Sequence, residues 1–490
     1  MHADVTVGTP AARRGETCFV TAFKDIGRKS WSTFHRSNEE YLRCFRLLCE
    51  MKVPLVVYID AGLAGAVAEI TAQARPPGWL TRIIPIDDAF LDAHVEAWSY
   101  RETERAIMAS RAYRAVVARR RENPPEVRIP EYNCINHAKI DFLAHAIRNG
   151  YGAAEYYGWI DFGYCKTTAS LTADRTFLPI PALLDDKVNL VAIDAIQEAD
   201  RDPIALLASG AVRVTGPFFH GRADVLLAYR DAYHEVLREG HRRGVADDDQ
   251  NAMVQVCLAR PELVRVWHND LTHPAGWFNC FPKFHHDLAG FADRADFKHA
   301  WMGLTGTFVE VGVFRGDHSA FVLANSTFAT VCGVDAYRRF ADVEYKDAIN
   351  TLTQGELDQI HARAAARFAG EPRYRLIRRT SREAADEFAP GSVDAVYIDA
   401  NHGYAAVLED MEIWWSRVKS TGVLAGDDLV DDLDAAYDAD NNQRVVWGPG
   451  CWGHYGVNRA LRSFEQRHGV RAHRLPGRQW MIRKSDAPLC

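Results

Sequence analysis

The chain has 490 residues, 48% hydrophobic and 25% charged, which is the make-up of an ordinary globular protein long enough for two or three domains. A net charge of -7 leaves no electrostatic footprint for nucleic acid, and no apolar stretch approaches the roughly 20 residues that a membrane helix needs. The ten cysteines are scattered with no C-x-x-C, and MHADVTVGTPAARRG lacks the apolar core of a secretory leader, so reduced thiols and a cytoplasmic location are expected.

Residues 1–15 are expected to be disordered. Cys18–Phe23 reads as a short buried strand, and the charged loop KDIGRKSW follows it. Ser37–Glu40 (SNEE) is a capping box, in which hydroxyl and carboxylate satisfy each other's backbone N–H groups and start a helix. Leu55–Ile59, ending at Asp60, and Ile83–Ile86, ending at Asp87 and Asp88, are the next strands. Glu102–Arg121 carries acids in its first turn and arginines in its last, as the helix dipole favours, and is expected to be one long helix. An amphipathic helix over His137–Ile147 precedes YYGWIDFGY (Tyr156–Tyr164), a strand that ends in an acid before a glycine turn. Leu190–Ile193 and Val212–Thr215 are short strands. Ala223–Glu239 and Ala246–Leu258 are helices, the second opening on Asp247, Asp248 and Asp249. Strands alternating with helices mean parallel α/β architecture. The pattern changes after His273-Pro274. The expected division is a first domain over 16–274, a linker with one helix over 275–300, and a second α/β domain over 301–490.

In the second domain Phe308–Val311 is a strand, and EVGVFRGDHS (Glu310–Ser319) turns it into a helix. Its E-x-G-x-x-x-G spacing lets the backbone at Gly312 and Gly316 approach a ligand closely, and is not the G-x-G-x-x-G of a nicotinamide site. Val331–Val334 ends at Asp335, where a carboxylate can accept both hydroxyls of a ribose. Tyr374–Ile377, Val393–Ile398 and Val423–Ala425 follow as strands, then a helix over Gly456–Phe464 and a closing hairpin, Arg471–Leu475 with Gln479–Ile482. Asp399 ends one strand, and Asp427 and Asp428 end the next. Parallel strands deliver such acids into one crevice, where three carboxylates repel unless something positive sits among them. A hard divalent cation, Mg2+ or Mn2+, is the simplest candidate. Asp399 or His402 could take a proton from a reacting hydroxyl.

The first domain carries its own set of candidates. Arg28, Lys139 and Lys166 could meet a diphosphate. Asp161 is placed as a metal carboxylate, with His268, after the last strand, completing the shell. Asp248 or Asp249 could serve as a base or contact an acceptor sugar.

The order of acids and glycines from about Thr305 to Lys484 resembles a class I S-adenosylmethionine-dependent methyltransferase with a Rossmann-like fold. The pairing of Asp399 with Asp427-Asp428 resembles the metal-dependent sugar O-methyltransferases of natural-product pathways. That resemblance implies that Glu310, Gly312, Gly316 and Asp335 hold the cofactor, that Ser381 in TSREAADEF lies near the adenine, and that Asp399, Asp427 and Asp428 bind magnesium. The motifs TAFKDIGR (Thr21–Arg28), SNEEYL, HAKIDFLAHA, WIDFGY and DDDQ resemble those of the HtrL/YibB family, which is similar to GT-A glycosyltransferases. This implies nucleotide-sugar binding along Thr21, Ala22 and Arg28, with metal near Asp161. The segment reads Asp-Phe-Gly, not Asp-x-Asp, so one of the usual two carboxylates is missing. The combined expectation is a bifunctional enzyme that transfers a sugar from a nucleotide sugar to a saccharide or glycoconjugate and O-methylates a sugar hydroxyl. The alternative keeps the methyltransferase and makes the first domain a non-catalytic glycan-binding module.

Overall fold

Short apolar runs bounded by turns assemble into two separate, mostly parallel sheets, one in each of two units: Met1–Pro179 with Leu183–His285, and Ile180–Ala182 with His286–Cys490. The structure is a computed structural model that describes residues 5–7, 16–31, 34–120, 124–269, 271–288, 300–301, 303–342, 344–448 and 451–486. Among these residues no helix is long and apolar enough to cross a membrane.

The strands of the first unit are β1 (Val5–Val7), β2 (Thr17–Phe23), β3 (Leu55–Asp60), β4 (Thr81–Ile86), β5 (Tyr156–Ile160), β6 (Val188–Ala192), β7 (Val214–Arg222) and β8 (Val264–His268). They form one sheet in the order β1-β4-β3-β2-β5-β7-β6-β8. β7 runs antiparallel to β5 and β6, and β1 antiparallel to β4; the other neighbours are parallel. The strand order reverses at β2, so the C-terminal ends of β2 and β5 flank a crevice where α/β sheets hold ligands. The helix Pro130–Arg148 packs against the sheet and carries His137, Lys139 and Asp141 into the interior.

Three expectations change here. Val5–Val7, read as part of a disordered end, pairs with Thr81–Ile83 at the sheet edge; residues 1–4 and 8–15 lie outside the described residues. The long helix expected over Glu102–Arg121 is two helices, Arg101–Ala109 and Arg111–Val117. Ser110 between them is extended, and its hydroxyl accepts the Tyr113 N–H at 3.1 Å, a cap that starts a new helix. The stretch read as linker is, over Gly276–Phe284, a short turn and helix whose Phe281 packs on Phe19, Phe177 and Tyr164 of the first unit's core.

The second unit contains β9 (Thr307–Val311), β10 (Thr330–Val334), β11 (Tyr374–Ile377), β12 (Val393–Ile398), β13 (Val418–Gly426), β14 (Gln443–Gly448), β15 (Cys451–Tyr455), β16 (His473–Leu475) and β17 (Gln479–Arg483). Seven of them form a sheet in the order β11-β10-β9-β12-β13-β17-β16. All neighbours are parallel except β17, which runs antiparallel to β13 and β16. The strand order reverses at β9. The ends of β9, β10 and β12 therefore meet at the switch point, and they carry the glycine turn, Asp335 and Asp399. β14 and β15 form a separate hairpin that the sequence reading did not anticipate.

Candidate functional site

In the second unit a cavity of about 620 Å³ opens at that switch point. Glu310, Gly312, Asp335, Ser381, Asp399, His402 and Asp428 all line it. Gly312 has φ 94°, and a Cβ there would lie 1.9 Å from the Asp399 carbonyl oxygen, so only glycine lets β9 and β12 end this close together. Asp335 fixes the turn: Oδ2 accepts the N–H groups of Val313 (3.1 Å) and Phe314 (2.9 Å), and Oδ1 that of Tyr337 (2.7 Å). Burial pushes its pKa up, and these donors pull the other way without cancelling the effect. Glu310 is 1% exposed. Its carboxylate accepts the Ser319 hydroxyl and lies 3.3 Å from His318 Nδ1. Gly316, with φ 79°, caps the helix Asp317–Asn325 against Phe368 and is not in the cavity wall. Ser381 opens the helix Ser381–Ala385, and its Oγ accepts the Trp414 indole N–H at 2.9 Å. Beside it stands Asp410, a buried cavity-lining acid whose pKa burial raises to about 7 against the pull of its hydrogen bond to Ser381.

At the other end of the cavity His402 Nε2 lies 3.4 Å from Asp399 Oδ1 and 3.4 Å from Asp428 Oδ2. One ligand atom from each of these three residues falls within 4.8 Å of the others. Asp427 is not part of this group. Asp428 takes φ 56°, a left-handed turn that sends consecutive carboxylates apart, and Asp427 Oδ1 accepts the Asp428 N–H at 2.8 Å. Of the expected trio, Asp399 and Asp428 therefore come together with His402, while Asp427 lies outside that cluster. Burial would lower the His402 pKa, but the hydrogen bond to Asp399 and the charges of Asp428 and Asp399 outweigh it and raise the pKa to about 9. The positive charge that the acids demand can come from the chain itself, as an imidazolium. The donor set also fits a divalent cation that takes the proton's place, and an imidazole nitrogen suits Mn2+ better than Mg2+. The His402 ring stacks on Tyr455 at 5.3 Å and 18°.

In the first unit a cavity of about 300 Å³ lies at the ends of β2 and β5. Ala22, Arg28, Arg36, Lys139, Asp161 and Lys166 line it, with Tyr41, Tyr132, Trp277 and Phe278. The Lys139 ammonium is buried in its floor, 2.7 Å from Asp249 Oδ2 and 3.2 Å from Asp161 Oδ1, and donates to the Gly216 carbonyl at 3.3 Å. Asp161 Oδ1 also accepts the Trp159 indole N–H at 2.8 Å. Lys139 therefore already supplies a positive charge to Asp161 Oδ1, the role a divalent cation at that carboxylate would otherwise have. Asp249 is committed to the same ion pair and is not a free base.

Other expected residues lie elsewhere. Asp248 caps the helix Asp249–Ala259 and lines a different cavity, about 210 Å³, with Asp247 and His137. Burial, then the charges of Asp249 and Asp247, raise the Asp248 pKa, and burial raises that of Asp247 to about 6. Thr21 is fully buried and outside the cavity wall, which Ala22 and Phe23 of β2 line instead. His268 is exposed on edge strand β8, three strands from β5, so at about 4.8 Å per strand it cannot reach Asp161.

Residues 15–286 match the family described as a bacterial protein of unknown function (HtrL_YibB), a span of more than half the chain. The chain belongs to the HtrL_YibB family. Protein HtrL of Escherichia coli (strain K12) is 22% identical over 289 residues, covering 56% of this chain and 95% of that protein. Residues 309–429, beyond the HtrL_YibB region, match a family described as a methyltransferase domain. Among solved structures, the apo form of CalS11, a TDP-rhamnose 3'-O-methyltransferase, is 16% identical with a TM-score of 0.26, covering 39% of this chain and 76% of that one. The SAH-bound methyltransferase PaMTH1 of Podospora anserina is 12% identical with a TM-score of 0.24, covering 36% and 70%. Neither likeness is close enough to bear on activity.

Sequence reading missed Arg36 in the HtrL_YibB cavity, and Tyr345, Asp347, Asp410 and Tyr455 in the methyltransferase cavity. Arg36 had a usable signal, since it lies between two motifs whose neighbours were chosen. Tyr345 and Tyr455 sit on a loop and a hairpin with no periodicity to place them.

Proposed function

We propose that the methyltransferase domain methylates a hydroxyl oxygen of a saccharide or glycoconjugate, and that the HtrL_YibB domain binds a nucleotide sugar and transfers its sugar. One observation carries the first half. A single cavity runs from the glycine turn, Asp335 and Ser381 to the Asp399, His402 and Asp428 group, which supports reading it as a cofactor space beside an acid–base centre. S-adenosylmethionine would supply an electrophilic methyl there. Gly312 and Asp335 shape the backbone against which its amino acid and ribose would lie, with Ser381 and Asp410 at the base. A divalent cation on Asp399, His402 and Asp428 would lower the pKa of the acceptor hydroxyl. Asp399 can accept the hydroxyl proton, whereas His402 can do so only after losing its own. The rest of the rate enhancement is positioning.

Thermal shift with S-adenosylmethionine and with NAD is the first test, followed by transfer of labelled methyl to a panel of free and nucleotide-linked sugars. Stabilisation by NAD alone would sink the reading. A second reading, a non-catalytic glycan-binding HtrL_YibB domain, is favoured by one fact: Lys139 holds both Asp161 and Asp249, leaving neither as a free base. Turnover of UDP-, GDP- or CMP-sugars separates the two.

A further inference from the structure

We propose that the HtrL_YibB domain binds the phosphates of its nucleotide with side-chain cations alone, Arg28, Arg36 and Lys166 meeting the anionic charge while Lys139 fills the place of a divalent metal. This rests on the nucleotide-sugar reading above and adds how the charge is neutralised. Five cations line the cavity, and two are already spent. Lys24 pairs with Asp60 at 3.1 Å and Asp88 at 3.2 Å, and Lys139 pairs with Asp161 and Asp249. Arg28, Arg36 and Lys166 differ: among the described residues none has a carboxylate within ion-pair distance.

Each is held in place by uncharged contacts. Arg28 donates to the Tyr41 hydroxyl at 2.9 Å and to the Phe34 carbonyl at 2.8 Å. The Arg36 guanidinium lies 5.2 Å from the centre of the Tyr41 ring, and Lys166 Nζ 5.3 Å from that of Phe278. Burial, then repulsion from Arg36, lowers the Lys166 pKa, which is what an unmatched cation cluster does to its members. The other acid in the wall, Asp25, is engaged by Asn38 at 2.8 Å, the Gly27 N–H at 2.8 Å and Lys29 at 3.8 Å. A group of three positioned cations with no carboxylate suits a diphosphate, which guanidinium groups bind in bidentate fashion. The aromatic rings beside it offer faces for a base.

The test titrates UDP and GDP into the full-length protein by calorimetry, in EDTA and in excess Mg2+ or Mn2+, alongside Arg36→Ala and Lys166→Ala. The expected result is binding of at least one of the two in EDTA, within about threefold of its affinity with metal, and a loss of about tenfold or more in each variant. Both variants should melt as the parent does, because both side chains reach the cavity surface. Binding that requires metal would overturn the proposal and leave the nucleotide reading standing. Binding in neither buffer would overturn both. Unchanged affinity in both variants would place the nucleotide elsewhere and overturn the proposed site.

Discussion

Lys139 Nζ and Asp249 Oδ2 lie 2.7 Å apart in the interior of the first unit, with side chains 8% and 3% exposed. A second carboxylate, Asp161, lies 3.2 Å from the same ammonium. Removing the lysine leaves the buried Asp249 and the partly exposed Asp161 facing each other with no counter-charge. Lys139→Ala should therefore destabilise the first unit by about 3–5 kcal/mol. Replacing all three together, as Lys139→Met with Asp161→Asn and Asp249→Asn, should recover most of that loss. Chemical denaturation of the three proteins measures both effects, and a Lys139→Ala variant as stable as the parent would show that the pair is not buried as described.

Asp410 gives a pH-dependent prediction. Burial raises its pKa to about 7 in the folded chain, whereas an unfolded aspartate titrates near 3.9. The folded state therefore holds the proton more tightly. Its contribution to stability is fully present below about pH 4 and is lost as pH rises through about 7. Asparagine mimics the protonated acid at every pH. Asp410→Asn should equal the parent near pH 4 and become the more stable protein by on the order of 2–4 kcal/mol at pH 8. Unfolding free energies at pH 5 and pH 8 decide it, and a difference that does not grow with pH would exclude a buried, proton-holding Asp410.

Gly312 is the tightest backbone approach in the methyltransferase cavity. An added Cβ would meet the Asp399 carbonyl carbon at 2.4 Å as well as its oxygen, and φ 94° is strained for any other residue. Gly312→Ala should cost more than about 3 kcal/mol, from overlap and backbone strain together. It should also abolish any thermal shift produced by S-adenosylmethionine, because the turn and Asp399 move as one. A variant that keeps both stability and ligand response would mean that β9 and β12 do not close on each other here.

Much of this architecture was legible because it rests on short-range pattern. Strands such as Val331–Val334 and Val393–Ile398 are apolar runs with a punctuating acid, and Gly312 and Asp335 sit where the switch-point rule puts ligand contacts. What sequence did not reveal depends on side-chain direction and long-range pairing. Asp427 and Asp428 are indistinguishable as letters, and only the left-handed turn at Asp428 decides which of them faces His402. Lys139 reads as a phosphate ligand until Asp249, 110 positions later, is brought to it. Ser110 inside a run of good helix formers gives little hint that its hydroxyl will cap the start of a second helix. His268 follows a strand as Asp161 does, yet the order of strands between them sets them apart.

The same turn at Asp428 makes the two neighbouring acids separable by experiment. Asp399, His402 and Asp428 present their ligand atoms to one point, whereas Asp427 directs an oxygen at the Asp428 backbone. On the proposed function, Asp399→Asn and Asp428→Asn should each lower methyl transfer by about 10²-fold or more, since each removes a charge from the centre that would activate the hydroxyl. His402→Ala removes the stacking on Tyr455 as well as the nitrogen, so His402→Gln is the cleaner companion. Asp427→Asn keeps an oxygen for the Asp428 N–H and should stay within about tenfold of the parent. Initial rates at several Mn2+ concentrations separate a weakened cation site from a lost base: the first is restored at high Mn2+, the second is not. If Asp427→Asn fell as far as Asp428→Asn while folding normally, the turn would be presenting the other carboxylate, and His402 would lose its place in the centre.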